Sequence, residues 1–169
     1  MWLRRDPSTA RFGASPSRAR RRRARRSRRI APIADPRLVY ADSSALVKLV
    51  VDEPESDVLA SHLAAESTVV ATSRIALVEV PRATSIANPS AEAREETARL
   101  LESCLLIDVT DALLRSAAAL TSVEIRTLDA IHLASARAVE PDEVATYDRR
   151  LADAARGLGL PVSGPGAPG

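Results

Sequence analysis

From Leu38 onward, short apolar runs alternate with longer stretches in which apolar positions recur every three or four residues. The first pattern is that of buried strands, the second that of helices packed on one side. Leu38–Ala41 reads as a strand, ended by Asp42-Ser43-Ser44, residue types that favour the N-cap of a helix running through Val51. Pro54 opens a second helix reaching about Ala65. Thr68–Ala71 is a β-branched strand, after which Ser73 caps a helix to about Ala87. Asn88-Pro89 breaks that helix, and Ser90 starts another over SAEAREETARLLES, with acids early and Glu95 one turn before Arg99. Leu105–Val109 is a third strand and Asp111–Val123 a helix. Thr127 opens LDAIHLASARAV, Val144–Tyr147 is a fourth strand, and Asp148–Leu158 a final helix with Gly157 and Gly159 near its end. Leu160-Pro161-Val162 is a short edge strand before a Gly/Pro tail over 164–169. This alternation predicts one α/β domain over 38–163, its central sheet mostly parallel and covered by helices on both faces.

Composition narrows the class. Apolar residues make up 46% of the 169 but aromatics only 2%, so the core is aliphatic and an aromatic-stacking RNA module is excluded. Cys104 is the single cysteine, which rules out an intramolecular disulfide and fits a reducing cytoplasm. No run approaches the roughly 18 apolar residues of a membrane span. The net charge of +2 conceals two opposed parts. Residues 1–37 hold thirteen arginines against Asp6 and Asp35, a net of +11, whereas the rest of the chain stands at −9. Arg18–Arg29, RARRRRARRSRR, repels itself and supplies no core, so 1–37 reads as a disordered basic extension. No apolar segment follows the arginines as an export signal requires. The extension reads as an upstream addition or a misassigned start, with a nucleic-acid-binding tail as the sharper alternative.

The acids carry the chemistry. Ligands of an open parallel sheet bind beyond the carboxyl ends of its strands. Asp42 lies just past the first strand and Asp148 just past the fourth, hence at the same edge, and Asp129 falls in the first turn of its helix. At about 100° per residue, Glu79 falls within about 80° of Ile75, Ala83 and Ile86, inside an apolar stripe. A buried carboxylate needs a partner, and Pro81 is placed to bend the helix beside it. Singly, each acid has a plain structural reading: Asp42 and Asp148 as N-caps, Asp129 against a helix dipole, Glu79 paired with Arg82. Together, four converging carboxylates repel unless a divalent cation sits among them, as in a phosphodiesterase whose ion activates water and neutralises phosphoryl charge.

YADSSALVKL (40–49), SRIALVEVPRA (73–83), TLDAIHLA (127–134) and TYDRRLADAARGLGLPV (146–162), in that order and spacing, resemble the PIN-domain ribonucleases. Within them the chain is most similar to VapC-type toxins of toxin–antitoxin pairs, over Leu38 to about Val162. The resemblance implies a PIN-like fold and an Mg²⁺- or Mn²⁺-dependent endoribonuclease. It makes Asp42, Glu79, Asp129 and Asp148 the acidic quartet, with Asp42 and Asp129 as main metal ligands and Glu79 and Asp148 completing the cluster. Ser43 or Ser44 matches the family's hydroxyl after the first acid. RNA as substrate, a cognate antitoxin as partner, a homodimer and a cytoplasmic location are implied with it. The 37-residue basic preface departs from the family's usual form.

Other chemistries fit poorly. No GxSxG or Cys–His pair is present, Lys48 lacks the glycines of a phosphate loop, and the late glycines end a helix instead of opening one. His132, three residues after Asp129, reads as a histidine that is either solvated or bonded to a metal ligand from behind, although it neighbours the expected metal. Lys48, Arg74, Arg82, Arg149 and Arg150 lie near the motifs as a candidate basic rim. Two rival functions remain: a catalytically silent PIN-like RNA-binding or interaction module, and a flavodoxin-like phosphatase.

Overall fold

A computed structural model describes residues 35–65, 67–121 and 125–167. The expectation of a disordered extension therefore lies almost wholly outside the described residues. Five strands and seven helices follow one another there. They are β1 (Arg37–Ala41), α1 (Ser43–Lys48), α2 (Ser56–Leu63), β2 (Thr68–Ser73), α3 (Ala76–Ala87), α4 (Ala91–Ser103), β3 (Leu105–Ile107), α5 (Asp111–Ala118), α6 (Thr127–Val139), β4 (Glu143–Ala145), α7 (Arg149–Gly157) and β5 (Val162–Ser163).

The strands form a single sheet in the order β3-β2-β1-β4-β5, and every recorded pairing is parallel. Tyr40 aligns with Ala71 on one side and Val144 on the other, which makes β1 the central strand. Alternation along β1 divides the core. Val39 and Ala41 face Ala45, Leu46, Leu59, Val80 and Leu101 from α1 to α4. Tyr40 faces Leu133 and Ala136 of α6 and Leu151 and Ala155 of α7 on the opposite side. A strand buried on both faces reads as continuously apolar, as LVYA does. Each fully buried Leu or Val contributes about 1.5–3 kcal/mol.

Element boundaries differ where backbone bonding overrides local propensity. Ser73, expected to cap α3, instead ends β2, and α3 starts at Ala76 with Ile75 as an N-cap that makes no side-chain bond. The helix after Asp42 stops at Lys48 rather than Val51. β1 begins one residue early, because the Arg37 amide donates to Ser67 O. Ser90, by contrast, caps α4 as expected, accepting from the Ala93 amide at 3.1 Å.

Candidate functional site

The chain runs outward from β1 through β2 to β3, then returns to β1's other side as β4 and β5. The carboxyl ends of β1 and β4 thus flank the point at which strand order reverses, the place where open α/β sheets bind ligands. Asp42 follows β1 directly, and its amide donates to Ala145 O of β4 at 3.2 Å. Its carboxylate is buried. Oδ1 accepts from Ser44 Oγ at 2.7 Å and the Ala45 amide at 3.0 Å, and Oδ2 accepts from Thr146 Oγ1 at 2.7 Å. Burial pushes the Asp42 carboxyl above its ordinary value, even against the opposing pull of His132 and these hydrogen bonds. Ser44 Oγ in turn accepts from the Tyr147 amide at 2.9 Å, and Thr146 Oγ1 from the Asp148 amide at 3.1 Å. These bonds stitch the segment after β4 to the segment after β1.

Asp148 is the N-cap of α7; its Oδ1 accepts from the Arg150 and Leu151 amides at 2.8 and 3.3 Å. Asp129 sits in the first turn of α6, its Oδ2 accepting from the Arg126 amide at 3.0 Å. Glu79 lies on α3, half-buried, and its Oε2 accepts from Ser43 Oγ at 2.7 Å and His132 Nε2 at 2.9 Å. Burial raises the Glu79 carboxyl, but the His132 and Ser43 hydrogen bonds outweigh it and hold the group below its usual value. A common feature emerges: Glu79, Asp129 and Asp148 are each oriented through one oxygen. Among the described residues, their other oxygens make no hydrogen bond.

Hydrogen bonds therefore tie Asp42 to the Asp148 amide through Thr146, and Glu79 to Ser43, the residue after Asp42, while the Asp129 carboxylate bonds only to its own helix start. Among the described residues, no three Asp, Glu, His or Cys side chains stand close enough to hold one ion jointly. Mg²⁺ is commonly held by one or two carboxylates and several waters, so a three-ligand cage is not required. The donor set is all hard oxygen, carries no Lys or Arg ion pair among the described residues, and includes a buried acid whose charge lacks a matching cation. It fits a divalent ion of the Mg²⁺ type.

Two expectations need correction. Glu79 does not sit within α3's buried stripe, which is Ala76, Val80 and Thr84; Ile86, expected beside it, is 80% exposed. Its burial comes instead from Ser43 and His132, and it makes no ion pair with Arg82. For His132 only the solvated alternative fails: it is 3% exposed, and its bonds to Glu79 and Tyr40 match the other, a histidine standing behind an acid of the site. The basic rim also shrinks, since Lys48 is held by Glu53 and Glu55, and Arg74 by Asp108. Sequence reasoning passed over Thr146, Tyr40 and the contacts of His132. Their signal was available in part, because a polar residue inside the fully buried run Ile131–Ala136 demands a partner.

Fold and site together define a doubly wound parallel α/β domain with Asp42 and Asp148 at the carboxyl ends of the strands that flank its topological switch point. The PIN domain pattern matches residues 39–157, most of the chain, and the protein belongs to the PIN domain family. It is similar to Ribonuclease VapC46 of Mycobacterium tuberculosis (strain ATCC 25618 / H37Rv), 43% identical over 129 residues that cover 75% of this chain and 97% of that protein. Ribonuclease VapC47 of the CDC 1551 / Oshkosh strain is 35% identical over 136 residues, covering 77% and 98%. Among solved structures, M. tuberculosis VapC20, described as a Sarcin-Ricin loop cleaving toxin, superposes with a TM-score of 0.60 at 19% identity, over 72% of this chain and 95% of that one. VapBC2 from Rickettsia felis, bound to a DNA fragment from its promoter, gives 0.58 at 18%, over 75% and 97%. At those identities the structures speak for the fold alone.

Proposed function

We propose that this protein is a divalent-metal-dependent endoribonuclease that hydrolyses RNA phosphodiester bonds and acts as the toxin of a type II toxin–antitoxin pair. The observation that carries this reading is its 43% identity over 97% of a protein named as a ribonuclease. All four acids, Asp42, Glu79, Asp129 and Asp148, lie within the PIN domain match. In this reading Asp42 and Asp129 are the principal ligands of Mg²⁺ or Mn²⁺, and Glu79 and Asp148 complete the acidic crevice. A bound ion supplies Lewis acidity and neutralises charge at the phosphoryl group. The chain's own residues supply position. Ser44, Thr146 and the Ala45 amide lock Asp42 against rotation, and the α7 amides fix Asp148. Preorganised ligands of this sort spare the reaction the cost of reorienting them.

A crevice of this charge favours a basic antitoxin segment, with an arginine competing for the carboxylates. Homodimerisation and a cytoplasmic location complete the proposal. Among the described residues no helix is long and apolar enough to cross a membrane.

The test is cleavage of total cellular RNA by purified protein with Mg²⁺ or Mn²⁺ and with excess chelator. Ion-dependent fragments absent from Asp42→Asn support the reading. Binding of RNA without turnover at any ion concentration would instead establish a silent RNA-binding module. Growth arrest on expression without its antitoxin tests the toxin assignment separately.

A further inference from the structure

The quartet accounts for four acids but leaves a buried polar chain behind Glu79 without a role. Tyr40, fully buried on β1, meets His132 Nδ1 through its hydroxyl at 2.7 Å. His132 Nε2 meets Glu79 Oε2 at 2.9 Å and lies 3.2 Å from Ser43 Oγ. The two rings stand edge to face, 77° apart. We propose that Tyr40 and His132 are positioning residues: a buried hydrogen-bonded chain from β1 through α6 that fixes the Glu79 carboxylate by Oε2 and leaves Oε1 to the metal site.

The direction of the bond to Glu79 follows from the groups involved. An ionised carboxylate oxygen only accepts, so Nε2 carries a hydrogen. The Tyr40 hydroxyl bonds the ring's other nitrogen, Nδ1, at 2.7 Å, so the ring is held from both sides. Both ring nitrogens of His132 are thereby engaged, one by Glu79 and the other by Tyr40. Asp129 is one turn before His132 on α6, and Asp42 lies two residues past Tyr40, just beyond the end of β1. The elements that carry two of the acids therefore also carry the two residues that aim a third. Partners that orient a metal-ligating group typically affect ion affinity or activity by about 10–100-fold.

This inference rests on the nuclease reading, and the experiment separates the two. Full-length wild type, Tyr40→Phe, His132→Gln and His132→Leu are titrated with Mn²⁺ by calorimetry without RNA, then assayed for cleavage of total cellular RNA at saturating Mn²⁺. Melting in chelator reports stability. His132→Leu is expected to weaken Mn²⁺ binding about 10–100-fold. His132→Gln, whose amide can still donate near the Nε2 position, recovers most of that loss. Tyr40→Phe is expected to weaken binding by a factor of about 3, smaller because the imidazole remains. A purely structural role would lower the melting temperature and leave the Mn²⁺ affinity of the folded protein unchanged. Unchanged Mn²⁺ affinity in folded His132→Leu overturns the proposal, as does His132→Gln behaving no better than Leu. Should the Leu variant fail to fold, unchanged affinity in Tyr40→Phe overturns it. Wild type that neither binds Mn²⁺ nor cleaves RNA fails the nuclease reading instead.

Discussion

The two ends of the sheet treat charge in opposite ways. At the amino end, Glu143 opens β4 and receives Arg37 from β1, His62 Nε2 from α2 at 2.7 Å and Ser163 Oγ from β5. Three elements converge on one acid of a fourth, and Arg37 supplies the opposite charge. At the carboxyl end, Asp42, Glu79, Asp129 and Asp148 have no Lys or Arg ion pair among the described residues, and His132 alone approaches as a nitrogen base. A fold can satisfy a half-buried carboxylate when stability is the only requirement, as the Glu143 cluster demonstrates. Acids left without cations at the other end mark a place kept for something else.

The sharpest way to break that contrast is to neutralise an acid at each end. Asp42→Asn is expected to lower RNA cleavage by about a hundredfold or more, and melting in chelator should stay equal or rise, because a disfavoured buried charge is gone. Wild-type cleavage by this variant at matched Mg²⁺ would end its assignment as a ligand. Glu143→Gln should do the reverse, leaving cleavage intact and costing about 2 kcal/mol in urea denaturation, since Arg37 and His62 lose their shared acceptor. A loss of activity without a loss of stability would mean that the two ends are not independent.

Acid pH sharpens the comparison further. Burial raises the Glu143 carboxyl, but hydrogen bonds from Ser163, His62 and Arg37 outweigh it, so its folded value lies below the ordinary 4.5. Its stabilisation is therefore complete above that pH and lost as pH falls through the folded value, where wild type and Glu143→Gln should converge. Asp42 is shifted the other way, above 3.8. The stability advantage of Asp42→Asn should be full at neutral pH and shrink as pH drops through that raised value. Denaturation midpoints across the acid range check both signs. The smallest effect belongs to Arg74→Ala. Its exposed pair with Asp108 is worth at most about 0.5 kcal/mol. Because that arginine is already occupied, RNA affinity should hardly change.

The acids were legible because their positions are local: Asp42 and Asp148 follow strands, and N-cap chemistry marks both. The architecture was legible for the same reason, as strand and helix periods differ. Glu79 was placed at the site by a stripe that proved wrong in detail, since Ile86 is exposed and Thr84 is not. Apolarity in the sequence does not reveal which side of an amphipathic helix another element will cover. The Arg37–His62–Glu143 cluster was invisible because its members lie 25 and 106 residues apart and meet only through the sheet register. Tyr40 and His132 were hidden likewise, 92 residues apart.

The position of β1 bears on how the protein is made. Its pairing with β2 is available as soon as residue 73 has been synthesised, but its other edge waits for β4. Thr146, which closes the cage around Asp42, is 104 residues downstream. At typical synthesis rates that interval lasts roughly 5 to 20 seconds. Throughout it, one edge of the central strand has no native neighbour, and edges of that kind invite mispairing. The growing chain lacks Asp129 for most of that interval and Asp148 for all of it. A ribosome that stalls before Thr146 therefore carries a half-built sheet in which Oδ2 of Asp42 lacks its hydroxyl donor.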